Sequence, residues 1–190
     1  MSWDPYLDLE SGVLRNRLGL TDAAALAAAE AEYTTARIFG LQRSPLPGGF
    51  DLGHLQAFHW HLFGDVYPWA GQLRTVRMGK GGHAFCPPEQ IRVRATALFD
   101  GLAAVDHLRG LDRAATVAGL AALLAGINEL HPFREGNGRT QRTFLRQLAE
   151  ECGHRIRWEA LDPGENVSAS RAAVNGDLDP LRTLLDRLTV

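Results

Sequence analysis

Twelve residues, HPFREGNGRTQR (131–142), gather the groups most able to do chemistry in this chain. Pro132 and Gly136 bar a helix through 131–137, so the segment reads as a loop, with a helix beginning near Gly138. The first turn of such a helix offers free backbone N–H groups and the positive end of its dipole. Asn137 stands where a cap belongs. Gly136 and Gly138 leave the backbone bare, which lets phosphate oxygens approach closely. Arg139 and Arg142 are three apart and share a helix face. Their bland role is to point into solvent. Beside a glycine-rich helix start, two guanidinium forks suit a polyphosphate. Glu135 puts a negative charge in the same place, where it is either a helix-dipole partner or a ligand for Mg²⁺, which is commonly held by one carboxylate plus substrate phosphates. His131, at the far lip, is the residue able to take a proton near neutral pH. Phe133 reads as an apolar anchor, and Arg134 as solvent-facing or locally paired. The residues together predict a Mg²⁺–nucleotide site with a neighbouring base and transfer at phosphorus, without specifying which phosphorus is attacked.

The elements that must position these groups are mostly helical. The spacing predicts a helix over 21–40, capped by Thr21 and ended by Gly40. A second follows over 51–67, with Leu52, Leu55, Phe58, Leu62 and Phe63 on one face. Residues 70–88 alternate, with Leu73, Val76 and Met78 set apart from Arg74, Arg77 and Lys80, and then a glycine pair and two prolines. This is a hairpin signal. Further helices are expected near 88–104, 112–130, 138–153, 163–175 and 178–188. The helix over 112–130 is apolar nearly all round, as befits the buried centre of a bundle. The expected architecture is all-α with a single β-hairpin.

The bulk figures agree with an ordinary globular protein. The chain has 190 residues, 45% of them hydrophobic and 22% charged. That is enough to bury a core and argues against disorder. A formal net charge of −2 gives no global attraction to nucleic acid or anionic membrane. Cys86 and Cys152 have no metal-type spacing and suit a reducing compartment. The opening MSWDPYLDLE has no apolar run of the secretory type, and the apolar stretch 119–127 is short for a bilayer. The expected location is the cytoplasm, with no membrane and no required nucleic acid.

HPFREGNGR followed two residues later by Arg142 resembles the signature of Fic-domain proteins. GDVYPWAGQLRTV (64–76), running into KGGHAFCPP (80–88), resembles the Fic segment that carries a flap hairpin. SGVLRNRLGLTDAAALAAAEAE (11–32) is similar to the lead of stand-alone bacterial Fic toxins. The resemblance implies a single Fic domain over 1–190, with a core of about 51–160, a flap of about 71–86 and an active-site loop over 131–138. The implied fold is a bundle of about seven or eight helices with that flap. It implies transfer of AMP from ATP to a hydroxyl side chain of a target protein. His131 then deprotonates the hydroxyl, and Glu135 holds Mg²⁺ between the α- and β-phosphates. Asn137 and the backbone of Gly136 and Gly138 cradle those phosphates. Arg139 grips the β-phosphate, and Arg142 reaches the γ-phosphate. Residues 74–80 become a strand edge on which an extended target segment docks, with Lys80 and Gly81 bordering the nucleotide. The implied target class includes bacterial topoisomerase subunits.

Fic activity is commonly blocked by a helix reading Ser/Thr-x-x-x-Glu-Gly/Asn. No Ser or Thr of this chain has a Glu four residues on. The toxin-type lead then implies a separate antitoxin that supplies an inhibitory glutamate to Arg142. Three other readings stay open: a Fic-fold transferase of UMP, phosphocholine or the γ-phosphate, an inactive nucleotide-binding module, and a zinc hydrolase. The last would draw on His131, Glu135 and the HWH of residues 59–61. A ligand pair four apart needs a helix, however, which Pro132 and Gly136 prevent.

Overall fold

The computed structural model describes residues 4–190. Of the opening decapeptide, residues 1–3 lie outside this range. Among the described residues there are seven α-helices, two short 3₁₀ turns and one two-stranded antiparallel hairpin. The first helix, α1, spans Ala23–Leu41. Its cap is Asp22 and not Thr21: the Asp22 carboxylate accepts from the Ala25 N–H at 2.8 Å. The second, α2 (Leu52–Phe63), is capped in the same way by Asp51 and stops at Gly64, short of the expected 67. Then come α3 (Pro88–Ala104), α4 (Arg113–Leu130) and α5 (Asn137–Glu151). The chain finishes with α6 (Pro163–Val174) and α7 (Asp179–Leu188).

The centre of the molecule is α5, which packs against both α2 and α4. Its residues Phe144, Leu145 and Leu148 are fully buried. The Phe144 ring meets Phe50, Phe58 and Phe99 edge-on, with centroids 5.4, 5.5 and 5.8 Å away. Such pairs add about 0.5–1.5 kcal/mol each beyond the area they bury. The 18-residue α4 is long and apolar enough by composition to cross a bilayer. Here its Val117, Leu120, Leu124 and Ile127 are buried between α3, α5 and α7. Cys86 and Cys152 are both free thiols.

The hairpin is much smaller than the alternation suggested. Only β1 (Gly79–Lys80) and β2 (His83–Ala84) pair, in the register Gly79–Ala84 and Lys80–His83. Gly81 and Gly82 both have positive φ, +59° and +83°, which gives the tight I′-type turn that matches strand twist. Residues 74–78 are not a strand. Arg74, expected on an exposed edge, is only 2% exposed. Its guanidinium donates inward to backbone carbonyls, and that removes it from the edge.

Candidate active site

The site is an elbow between two helices. At its near end His131 caps α4 with a left-handed backbone, φ 42° and ψ 60°. Its ring stacks on Phe85, with centroids 3.9 Å apart and planes 4° from parallel. Burial, then the positive charges of Arg74 and Lys80, push its pKa down to about 4, against an opposing hydrogen bond with the Asn128 carbonyl. His131 is therefore neutral at physiological pH and able to accept a proton.

The elbow is held in shape by Asn137. Its Oδ1 accepts from the Phe133 N–H at 2.9 Å, and its Nδ2 donates to the Phe133 carbonyl at 2.8 Å. The residue is buried. Oδ1 and one N–H of Nδ2 thus hold the loop, which leaves the second N–H of Nδ2 beside the start of α5. The cap of α5 is Gly136, one residue earlier than expected, at φ 79°. A Cβ at Gly136 would lie 2.3 Å from the Phe63 ring, so both conformation and space demand glycine. Phe133 is 1% exposed, as an anchor should be. Arg134 does not face solvent: its guanidinium pairs with Asp4 at 2.9 Å, tying the loop to the N-terminal segment.

Glu135 bonds the Gly136 N–H through Oε1 at 2.8 Å. Its side chain is 44% exposed, and its Oε2 has no donor among the described residues. One free carboxylate oxygen beside a helix N-terminus fits Mg²⁺ held mainly by substrate phosphates. Its backbone carbonyl is fixed by His59, at 3.0 Å from Nε2, while His59 Nδ1 accepts from the Gly71 N–H at 2.7 Å. Burial, above all, pushes the His59 pKa down to about 4. Because both of its nitrogens are occupied, His59 is a strut under Glu135. Among the described residues no group of three or more His, Cys, Asp or Glu could hold a metal ion by itself. The zinc reading has no support.

Arg139 and Arg142 lie on one face of α5, as their spacing required, yet their surroundings differ. Arg139 sits over the Phe63 ring at 4.9 Å and is paired at 2.5 Å with the buried carboxylate of Glu30, from α1. Glu135 is a looser neighbour at 3.8 Å. Glu30 in turn accepts a hydrogen bond from the Tyr67 hydroxyl. Burial, then that bond, raises the Tyr67 pKa, so the phenol stays protonated. Arg142 is half-buried and has no carboxylate partner among the described residues. Its Nη1 lies 3.2 Å from where a Cβ on Gly138 would be, so the guanidinium lies against the bare start of α5. Burial, then Arg139, make it less basic than usual.

Two clefts flank these arginines. One of about 260 Å³ is bordered by Glu30, Tyr67 and Glu135, and one of about 130 Å³ by Arg139, Arg142, Arg146 and Trp158. The Glu30–Arg139 pair stands between them. Lys80 is exposed on β1 and Gly81 on its turn, and only the charge of Lys80 reaches His131. Residue patterns had not singled out Glu30 or Tyr67, and they named His59 only for the zinc reading, not as a support for Glu135. For Glu30 a signal existed: Leu26, Glu30 and Thr34 recur every four residues and are all buried.

The sequence model of the Fic/DOC family matches residues 49–149. Among curated relatives, the protein adenylyltransferase VbhT of Bartonella schoenbuchensis is 41% identical over 97% of this chain, which spans 38% of VbhT. The Sinorhizobium fredii protein y4lH, named a probable protein adenylyltransferase, is 42% identical, and the match covers 97% of this chain and 95% of y4lH. Among solved structures, the N-terminal Fic domain of a VirB-translocated Bep effector from Bartonella quintana, with bound ADP, superposes with a TM-score of 0.89. It is 27% identical, and the match covers 97% of this chain and 94% of that one. This chain belongs to the Fic/DOC family, and its fold is the Fic fold.

Proposed function

We propose that this chain is a nucleotidyltransferase that moves AMP from ATP to a hydroxyl side chain of a target protein. The observation that carries the reading is the pairing, within one elbow, of a neutral imidazole at the end of α4 with a guanidinium against the start of α5 that meets no carboxylate among the described residues. The relatives' names supply the class of chemistry. His131 takes the proton of the target hydroxyl. The oxygen forms a bond to the α-phosphorus as the bond from that phosphorus to the bridging oxygen breaks. Pyrophosphate leaves, and the AMP remains esterified to the target.

Arg139 and the N–H groups at the start of α5 stabilise the leaving pyrophosphate, and Arg142 meets the γ-phosphate. Charge placed in advance in this way supplies most of the catalysis in transfers at phosphorus. Glu135 would hold Mg²⁺, which when bound would neutralise charge on the nucleotide phosphates. Lys80 and Gly81 border the nucleotide from the flap. The unpaired edge of β1 and β2 takes the target segment by strand addition.

Arg142 also suits an inhibitory glutamate from a separate antitoxin, since a half-buried cation without a carboxylate invites one. We read the chain as the toxin of such a pair, acting in the cytoplasm. The test is incubation with each of four α-labelled nucleoside triphosphates and Mg²⁺ in bacterial lysate, then with a purified topoisomerase subunit as first candidate target. Label from ATP alone on a protein, lost with His131→Ala, is the expected result. Absence of label with wild type, or its persistence in His131→Ala, contradicts the reading.

A further inference from the structure

Arg74 is among the largest fully buried side chains of the described residues, at 2% exposure, and it meets no carboxylate among them. It donates instead to four backbone carbonyls. Nε reaches His131 at 2.7 Å, and Nη1 reaches Val76 at 2.6 Å. Nη2 reaches Cys86 at 2.6 Å and Leu130 at 3.2 Å. Its own N–H donates to the Pro132 carbonyl at 2.9 Å. Val76 and Cys86 lie on the two arms of the flap. Leu130, His131 and Pro132 are the last turn of α4 and the start of the elbow. One guanidinium therefore joins the two pieces that must cooperate.

The joint also sits where the backbone needs support. His131 has φ 42°, a left-handed conformation that is unfavourable for a residue other than glycine. Its carbonyl is gripped by Arg74, and its ring is stacked on Phe85, which belongs to the flap. A buried charge without a counter-ion is costly unless its hydrogen bonds are complete. An apolar side chain would fill the same space at lower cost, but it could not hold carbonyls on two segments. Lysine could not either, because its three donors radiate from one point and lack a fork.

We propose that Arg74 is a positioning residue that fixes the flap and His131 to each other, so that a target segment paired to the flap edge meets the imidazole in one register. The inference rests on the proposed role of His131 in AMP transfer. It differs from that role because Arg74 touches neither nucleotide nor target.

The experiment compares wild type, Arg74→Ala and Arg74→Lys. Binding of a non-hydrolysable ATP analogue is measured by calorimetry, and kcat and KM on the target by label transfer. The expected result is affinity for the analogue lowered far less than kcat, because the start of α5 that holds the phosphates is untouched and the flap only borders the nucleotide, with kcat lowered about a hundredfold, as misplacement by about 1 Å does. Ethylguanidinium at low concentration should restore part of kcat in Arg74→Ala, and ethylammonium should not. Wild-type kcat in a folded Arg74→Ala, or lowered affinity for the analogue with kcat kept, overturns the proposal.

Should Arg74→Ala not fold, Arg74→Lys carries the test through the NMR signals of the His131 ring. Displacement of those signals, with loss of the Phe85 ring-current shift, supports the coupling, and unmoved signals overturn it. This readout needs no transfer activity. A wild type that modifies nothing therefore fails the functional reading and leaves the link between Arg74 and His131 separately measurable.

Discussion

The guanidinium of Arg139, the group expected to grip the β-phosphate, is already held at 2.5 Å by the carboxylate of Glu30, which lies 109 residues earlier. A triphosphate must compete with that carboxylate or share the arginine with it. Glu30→Gln keeps the shape and an oxygen able to accept from Tyr67, but removes the charge. Nucleotide affinity should rise by about three- to tenfold, the equivalent of about 0.7–1.4 kcal/mol. Calorimetric titration with a non-hydrolysable ATP analogue checks this, and equal or weaker binding would show that Glu30 does not oppose the nucleotide.

The histidines set a pH dependence. His131 and His59 both fall from an ordinary 6.5 to about 4 in the fold. The unfolded chain therefore binds protons first as pH drops. Stability from these two groups is complete above pH 6.5 and is lost progressively down to about 4, by at most about 1.4 kcal/mol per pH unit per histidine. Urea melts from pH 7 to pH 4.5 should show the decline. Over the same range kcat/KM for the target should stay level through 6.5, because the free base is already neutral. An acid limb centred at 6.5 would mean that His131 is not the base.

Gly136→Ala should destabilise the fold and abolish transfer together. The left-handed backbone costs alanine about 1–2 kcal/mol, and the Cβ forced onto the Phe63 ring adds about 1–3 kcal/mol. Gly153→Ala is the control: its φ is +82°, but nothing lies within 4 Å of the added carbon. Only the conformational cost, about 1–2 kcal/mol, should appear there. Equal melting temperatures for the two variants would refute the steric argument.

Arg142→Met separates function from stability. The methionine keeps the stem and removes a half-buried cation that has no carboxylate among the described residues. Thermal stability should hold or rise, since such a charge is a cost in the free protein. Affinity for the ATP analogue should fall at least about tenfold, and affinity for ADP should change little, because ADP has no γ-phosphate. A variant that melts lower and binds both nucleotides equally well would place Arg142 in the packing and not in the site.

The amino-acid order determined by itself whatever depends on neighbours in the chain. Helical periodicity placed all seven helices to within a few residues, and Pro132 with Gly136 forced the elbow. The face shared by Arg139 and Arg142 follows from a spacing of three, and the glycine turn of the flap from Gly81–Gly82. The motif 131–142 also brought its family and its chemistry with it. Where two neighbours could both cap a helix, the stronger acceptor won: Asp22 displaced Thr21 because a carboxylate accepts the N–H bond more strongly.

Tertiary structure alone decided what each polar side chain meets. Glu30 reaches Arg139 across 109 residues, Asp4 reaches Arg134 across 130, and Arg74 turns inward to carbonyls 56 and 57 residues away. Asn137 is occupied by its own loop, and His59 by Glu135 and Gly71. Periodicity tells only whether a side chain faces in or out. A buried charge or amide must then satisfy its hydrogen bonds with whatever the packing brings near, and that choice is made when α1, the flap and the elbow close on one another.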